Sequence, residues 1–522
     1  MPAQASAPTL IPRPTEAAFR PGHFTLDADT ALRIGEGAEP AADLLRTLLA
    51  PATGLPLPPS PDGQFTLALD SGPGGLGDPG DVGGLGGLGE EGYVLTVEPH
   101  AVLLRAAHPT GLLRGIQTVR QLLPPAALSA DPQRVTRWPL PCVDITDVPR
   151  HPWRGAMLDV ARHFQPVSYL RRYVDVLALH KISVFHLHLT DDQGWRMPVA
   201  AYPKLTEIGS RRAESQKGPA GSGAYDGIPH GGAYTRAELT GLVRYAAARG
   251  VTVVPETEMP GHVRAALAAY PALGNHPERT LDVWTRWGVC DTVLGVHDEV
   301  LDFCRTVLDE VMDVFPSPYI HLGGEECPTA EWTHSATARE RAATEGLSSP
   351  AALHGWFLGK IGDHLVRNGR RPVGWAETGA ELPPEFTVMT WRDPSHTLTA
   401  ARRGHPVIDA YHRATYLDYA QSDDPNEPPA QPGSVVDLRG VHAHDPVPED
   451  ADAEAAGRVL GTQAQLWTEF VTTPAHIEYL TYPRLCALAD RGWSGATDWT
   501  DFRSRLDGHT ARLDALGVHH HP

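Results

Sequence analysis

The segment Tyr319-Ile320-His321-Leu322-Gly323-Gly324-Glu325-Glu326-Cys327-Pro328 puts two adjacent carboxylates directly after an apolar run closed by two glycines. The run reads as a short buried strand. Carboxylates at its tip, in a tryptophan-rich chain, point to acid chemistry on a sugar. Neighbouring residues on a regular strand face opposite ways. Both glutamates therefore reach one cavity only if the strand breaks there, and glycine permits the break. Taken alone, the pair is also compatible with a solvated strand end.

Elements that would position such a pair follow from the pattern around it. From about residue 153 onward, short apolar runs alternate with helical stripes. Strands are expected at 155–160, 183–189, 251–255, 319–322, 372–375, 386–391, 406–410 and 461–467. Helices are expected at 168–180, 236–249, 299–314, 351–368 and 475–490. In the first helix Leu170, Tyr173, Val174, Leu177 and Ala178 form a core-facing stripe. About eight strands alternating with helices predict a (β/α)8 TIM barrel, irregular after Trp375 and Tyr411 where helical signals are weak. A doubly wound sheet is the alternative, but no GxGxxG follows a strand. Before residue 149 the rhythm differs. Alternating runs at 65–69 and 93–97 and helical stripes at 42–49 and 111–123 predict a small α+β domain over 1–148, joined to a barrel over 149–510. The glycine-rich run at 72–92 lacks Gly-Lys-Ser/Thr and reads as a surface loop.

A barrel of this kind works at the C-terminal ends of its strands. Those ends carry Asp159, Arg162 and His163; His186, His188, Asp191 and Asp192; Glu256, Glu258 and His262; Glu325 and Glu326; Trp375 and Glu377; Trp391 and Arg392; Tyr416 and Asp418; and Trp467 and Glu469. One such end is easily explained by packing, but eight together are not. His186 and His188, two apart on a strand, point the same way as metal ligands would. Strands five and six end in tryptophan, however, so the pair reads as barrel interior and no metal or other cofactor is expected.

Composition narrows the partners. The chain has 522 residues, 41% hydrophobic and 20% charged, with a formal net charge of -19. That charge argues against nucleic acid or an anionic membrane as partner and suits a neutral or cationic substrate. No apolar stretch approaches the ~20 residues of a membrane helix. The first residues lack a basic segment followed by an apolar one, so a cytoplasmic protein is expected, or a secreted one if a leader has been removed. Five cysteines without CxxC spacing fit reduced thiols. The terminal His519-His520-His521 is too short to indicate a metal site.

Seven segments in order, LDVARHF (158–164), HLHLTDDQGWR (186–196), VVPETEMPGH (253–262), HLGGEE (321–326), VGWAE (373–377), YLDY (416–419) and LWTE (466–469), resemble the β-N-acetylhexosaminidases of glycoside hydrolase family 20. The resemblance runs from about residue 8 to 495, and the N-terminal domain looks like the non-catalytic domain of that family. It implies a retaining exo-enzyme acting on oligosaccharides or glycoconjugates with terminal β-linked GlcNAc or GalNAc. The substrate's own acetamido carbonyl would serve as nucleophile, through an oxazolinium ion. By the same resemblance Glu326 is the general acid, supported by His262 and Asp191, and needs a raised pKa. Glu325 accepts the acetamido N–H, and Tyr416 donates to the acetamido carbonyl. Trp375, Trp391 and Trp467 wall the acetamide pocket, and Arg162, Asp418 and Glu469 bind sugar hydroxyls. Trp332 is a candidate platform for a second sugar, or a loop-packing residue. Asp192, Glu256 and Glu258 read as supporting or structural. The family carries aspartate where this chain has Glu325. That departure keeps open a relative with altered sugar specificity, or a carbohydrate-binding protein with impaired turnover. A metal amidohydrolase is the poorest fit.

Overall fold

The computed structural model describes residues 9–69, 85–379, 381–495 and 498–522. The glycine-rich run expected as a loop lies outside the described residues up to residue 84. Its last part forms a single 3-10 turn, Leu85–Leu88, with Leu85 buried.

The N-terminal part is a six-stranded mixed sheet of β1 (Glu16–Leu26), β2 (Leu32–Ile34), β3 (Phe65–Leu69), β4 (Tyr93–Glu98), β5 (Ala101–Ala106) and β6 (Trp138–Asp147), in the order β1-β6-β4-β5-β3-β2. Along β4, Tyr93, Leu95 and Val97 are fully buried and alternate with half-buried Val94 and Thr96, as a sheet covered on one face requires. Helices Glu39–Thr53 and Pro109–Leu122 are packed with this core. The second of them is buried from Gly111 to Leu122, because the barrel lies against its other side. Two of its polar residues reach across to the barrel: Arg114 donates to the carbonyls of Ile182 at 3.1 Å and Gly250 at 2.7 Å, and Gln121 to that of Leu179 at 2.9 Å.

Eight parallel strands close the barrel: β7 (Trp153–Asp159), β8 (Val184–His188), β9 (Thr252–Glu256), β10 (Tyr319–His321), β11 (Arg371–Ala376), β12 (Thr387–Thr390), β13 (Val407–Asp409) and β14 (Val459–Ala464). This is the (β/α)8 TIM barrel expected from the strand–helix alternation. The lower interior is apolar, with Trp153, Val184, Val254, Met389 and Ile408, while the upper layer holds His186, His188, Glu256, His321 and Gln463. Helices Val167–Leu179, Arg236–Ala247, Asp298–Val314 and Leu353–Arg367 follow the first four strands. Among the described residues no helix separates β11 from β12, and three short ones, His412–Thr415, Leu438–Ala443 and Ala453–Arg458, follow β13. The irregularity expected after Trp375 and Tyr411 is therefore present.

One expected helix is corrected. The stripe at 475–490 forms two helices, Pro474–Thr481 and Arg484–Ser494. Pro483 lacks an N–H and excludes the helical conformation from its predecessor; Tyr482 is extended, with ψ 137°.

Candidate functional site

Beyond β10 the chain turns through Gly323 (φ +66°) and Gly324 (φ +93°) and reaches Glu326 at φ +46°. A Cβ on Gly323 would lie 1.8 Å from Glu258 Oε2, so glycine is the residue that fits there. The turn breaks the strand alternation, and Glu325 and Glu326 both line one cavity of about 140 Å³ at the C-terminal end of the barrel. Arg162, His262, Trp375, Trp391, Tyr416, Asp418, Trp467 and Glu469 line it as well. Of the residues singled out from the sequence as catalytic or substrate-binding, only Asp191 stands outside this lining, behind His262.

His262 also has a left-handed backbone, φ +52°. Its Nδ1 lies 3.2 Å from Asp191 Oδ1 and 3.1 Å from Asp192 Oδ2, and its Nε2 lies 3.7 Å from Glu326 Oε2. The last contact is an ion pair, too long for a hydrogen bond. Burial works against charge on His262, but Asp191, Asp192 and Glu326 outweigh it and hold the imidazole well above its usual range. Asp191 is held well below the carboxylate range, because Arg162 and His262 outweigh its burial. The guanidinium of Arg162 meets Asp191 at 2.7 Å and Asp159 at 3.2 Å, donates from Nε to Gln193 Oε1 at 2.8 Å, and sits 5.0 Å over the Trp467 ring.

Glu256 is the hub of the layer beneath. It meets His186 at 3.1 Å, His321 at 2.9 Å and His188, and accepts from Trp375 Nε1 at 2.8 Å. These partners overcome its burial and keep it ionised. His188 is pushed up to about 10 by Glu256 and Asp191 against its own burial, whereas burial takes His186 down to about 4. His186, Glu256 and His321 stand close enough together to hold an ion, but each already has partners within this network. The network carries Trp375, through its indole N–H, into the cavity wall. Trp391 and Tyr416 stack at 6.2 Å, and Trp467 lies 6.0 Å from Trp375 and 6.3 Å from Tyr416. Aromatic rings thus form one part of the lining and Arg162, His262, Glu325, Glu326, Asp418 and Glu469 the rest, which suits a sugar with apolar ring faces and many hydroxyls.

The two glutamates differ. Burial pushes Glu325 up to about 8, with Glu256 and Glu326 adding and His262 opposing; its Oε2 has no protein partner. Burial also raises Glu326, but His262, Arg392 and Arg162 bring it below the ordinary carboxylate value. This reverses the raised value expected for Glu326: the cations around it, gathered from distant strand ends, outweigh its partial burial. Glu258 is pushed well up by burial and by Glu325 and Glu256. Asp418 is raised well above its usual value by burial and Glu469, and burial raises Glu469.

Trp332 is no platform: it is fully buried and donates from Nε1 to Leu294 O at 2.8 Å. The structure adds Tyr419 and Gln431 to the cavity and places Arg392 and Glu377 on Glu326. Tyr419, Glu377 and Arg392 lie in or beside the sequence motifs and were within reach of that reading; Gln431 carries no local signal.

A family model described as "Glycosyl hydrolase family 20, catalytic domain" matches residues 151–496, and one described as "Glycosyl hydrolase family 20, domain 2" matches residues 7–148. The chain is 37% identical over 426 residues to a beta-hexosaminidase of Akkermansia muciniphila, covering 80% of this chain and 83% of that one. It is 35% identical over 518 residues to a beta-hexosaminidase of Porphyromonas gingivalis, covering 98% of this chain; it spans 64% of that relative's length. The GH20 exo beta-N-acetylglucosaminidase from Vibrio harveyi, solved in complex with N-acetylglucosamine, superposes with a TM-score of 0.87 at 30% identity, over 100% of this chain and 80% of that chain. The chain belongs to glycosyl hydrolase family 20.

Proposed function

We propose that the protein removes terminal β-linked N-acetylhexosamine from glycans by substrate-assisted hydrolysis with retention. The observation that carries this reading is that Glu325 and Glu326 line one cavity together with the aromatic rings of Trp375, Trp391, Tyr416 and Trp467. The aromatic walls suit the acetamide methyl group and the ring faces, and Arg162, Asp418 and Glu469 suit the hydroxyls.

In this mechanism Glu326 protonates the glycosidic oxygen. A bound sugar excludes water from the cavity and strengthens the burial that raises the Glu326 pKa. The acetamido carbonyl oxygen attacks the anomeric carbon, assisted by Tyr416, and the leaving group departs with the proton. Glu325 accepts the acetamido N–H on its ionised carboxylate, and the positive charge developing on that nitrogen stabilises the charged form that burial disfavours. Water then opens the ion, with Glu326 as base. His262 and Asp191 hold Glu326 from behind. Vibrio harveyi's enzyme, a structural neighbour, binds N-acetylglucosamine, which supports the sugar assignment.

The test is release of p-nitrophenol from the β-GlcNAc and β-GalNAc glycosides against the β-glucoside. Release from the 2-acetamido sugars alone is expected; release from the glucoside at an equal rate, or from none, overturns the reading. A second expectation concerns Glu325→Asp. The native stem is one methylene longer than the family's aspartate. Shortening it moves the carboxylate by on the order of 1 Å, which lowers kcat by up to ~10²-fold. A sharp rise in kcat would instead show that the native glutamate impairs turnover.

A further inference from the structure

Glu326 is gripped at both its ends by residues from the next two strands. Arg392, after β12, donates from Nη2 to Glu326 Oε1 at 3.2 Å and from Nε to Glu377 Oε2 at 3.0 Å. Glu377, after β11, accepts the backbone N–H of Glu326 on its other oxygen at 3.1 Å. The three residues close a ring across three consecutive strand ends. The ring is itself braced: the Arg392 guanidinium lies 4.0 Å over the Trp391 indole, and Glu381 receives the backbone N–H groups of Glu377 and Thr378. Arg392 and Glu377 are 43% and 37% exposed, so as a salt bridge they contribute little to stability. Their geometry has a different use. Glu326 is a non-glycine residue in the left-handed region, a conformation that persists only when its surroundings hold it. On the side-chain side, His262 stands at one carboxyl oxygen and Arg392 at the other.

We propose that Arg392 and Glu377 are positioning residues that clasp Glu326 and hold its carboxyl group in line with the glycosidic oxygen. The proposal rests on Glu326 being the proton donor. Lysine at 392 would not reproduce the clasp, because a single ammonium lacks the fork that reaches Glu326 and Glu377 together.

The groups that face Glu326 are His262, Arg162, Glu325, Glu377, Arg392 and Tyr416. Among them His262, Arg392 and Arg162 hold its carboxyl down. Loss of the Arg392 charge therefore raises the Glu326 pKa. An acid that must be protonated then stays so to higher pH, and the alkaline limb of kcat/KM moves upward.

The experiment compares wild type, Arg392→Gln and Arg392→Lys on two β-GlcNAc glycosides, one with a dinitrophenol leaving group, which needs little protonation, and one with a sugar alcohol, which needs it fully. Arg392→Gln is expected to lose about tenfold in kcat on the sugar glycoside, a fraction of the ~10²–10⁴ that a general acid supplies, and to stay within about twofold on the dinitrophenyl glycoside. Its alkaline limb rises, whereas Arg392→Lys keeps the limb and still loses rate on the sugar glycoside. Equal losses on the two substrates, or no loss with an unmoved limb, overturn the clasp while wild-type turnover leaves the hydrolase reading standing. No turnover of either glycoside by wild type overturns both.

Discussion

Glu326→Gln is expected to lower kcat on a GlcNAc-GlcNAc disaccharide by ~10²–10⁴-fold, the range general acid catalysis supplies, with little change in KM. Gln keeps the shape of the side chain and can still accept from Arg392, but it has no proton to give. The loss is therefore in the transition state rather than in binding. The same variant should lose far less on a dinitrophenyl glycoside, whose leaving group departs without help. Steady-state rates on the two substrates check this, and equal losses would remove Glu326 from the role of acid. The site around it makes the substitution mild in structural terms: the Glu326 side chain is 28% exposed, and its backbone N–H, bound to Glu377, is untouched.

The largest expected effect on stability lies at the other end of the barrel. Lys181, just past the helix Val167–Leu179, donates to Asp147 Oδ2 at 2.6 Å and to the Tyr93 hydroxyl at 2.9 Å. Asp147, the last residue of β6, also accepts from the Tyr93 hydroxyl at 2.6 Å and from Trp493 Nε1 at 2.7 Å. The Lys181 and Asp147 side chains are 1% and 0% exposed, so the buried pair fastens the N-terminal sheet to the barrel. Lys181→Met leaves a buried carboxylate without its counter-charge and is expected to cost about 3–5 kcal/mol. The lower midpoint of urea unfolding measures it. Burial raises Asp147, but Lys181 outweighs it and holds the carboxyl below its ordinary value. Stability from such a group is present above the unfolded-state pKa of about 3.9 and is lost as pH falls through the folded value. The deficit of Lys181→Met is thus largest where Asp147 is ionised and shrinks on acidification, starting above the ordinary carboxylate range, because the unpaired buried carboxyl takes up a proton more readily. A deficit that grew on acidification would contradict this account.

Much of this molecule is legible along the chain because barrel strands are buried on both faces. They appear as apolar runs, and the polar residues that interrupt them fall at their ends, where the site is built. The strands at 183–189, 319–322 and 372–375 are recognisable for that reason, and so is the break at Gly323-Gly324. The stripe at 475–490 misled because helical periodicity continues across Pro483, while the proline's own sterics divide it. Trp332 read equally as a sugar platform or a packing residue, because the local sequence carries no mark of what covers a tryptophan; its full burial leaves the packing role.

The amino-acid sequence by itself determined the strand–helix rhythm, the residues at each strand end and their kinship to family 20, since all of these depend on local periodicity and short motifs. Only the tertiary structure decided which side of the strand break the two glutamates face, and which charges surround them. The lowered pKa of Glu326 comes from His262 and Arg392, 64 and 66 positions away in the chain, and the raised one of Glu325 from its burial at the C-terminal end of the barrel. Electrostatic and desolvation effects act through space over a few ångströms, and it is barrel closure that brings these groups so close.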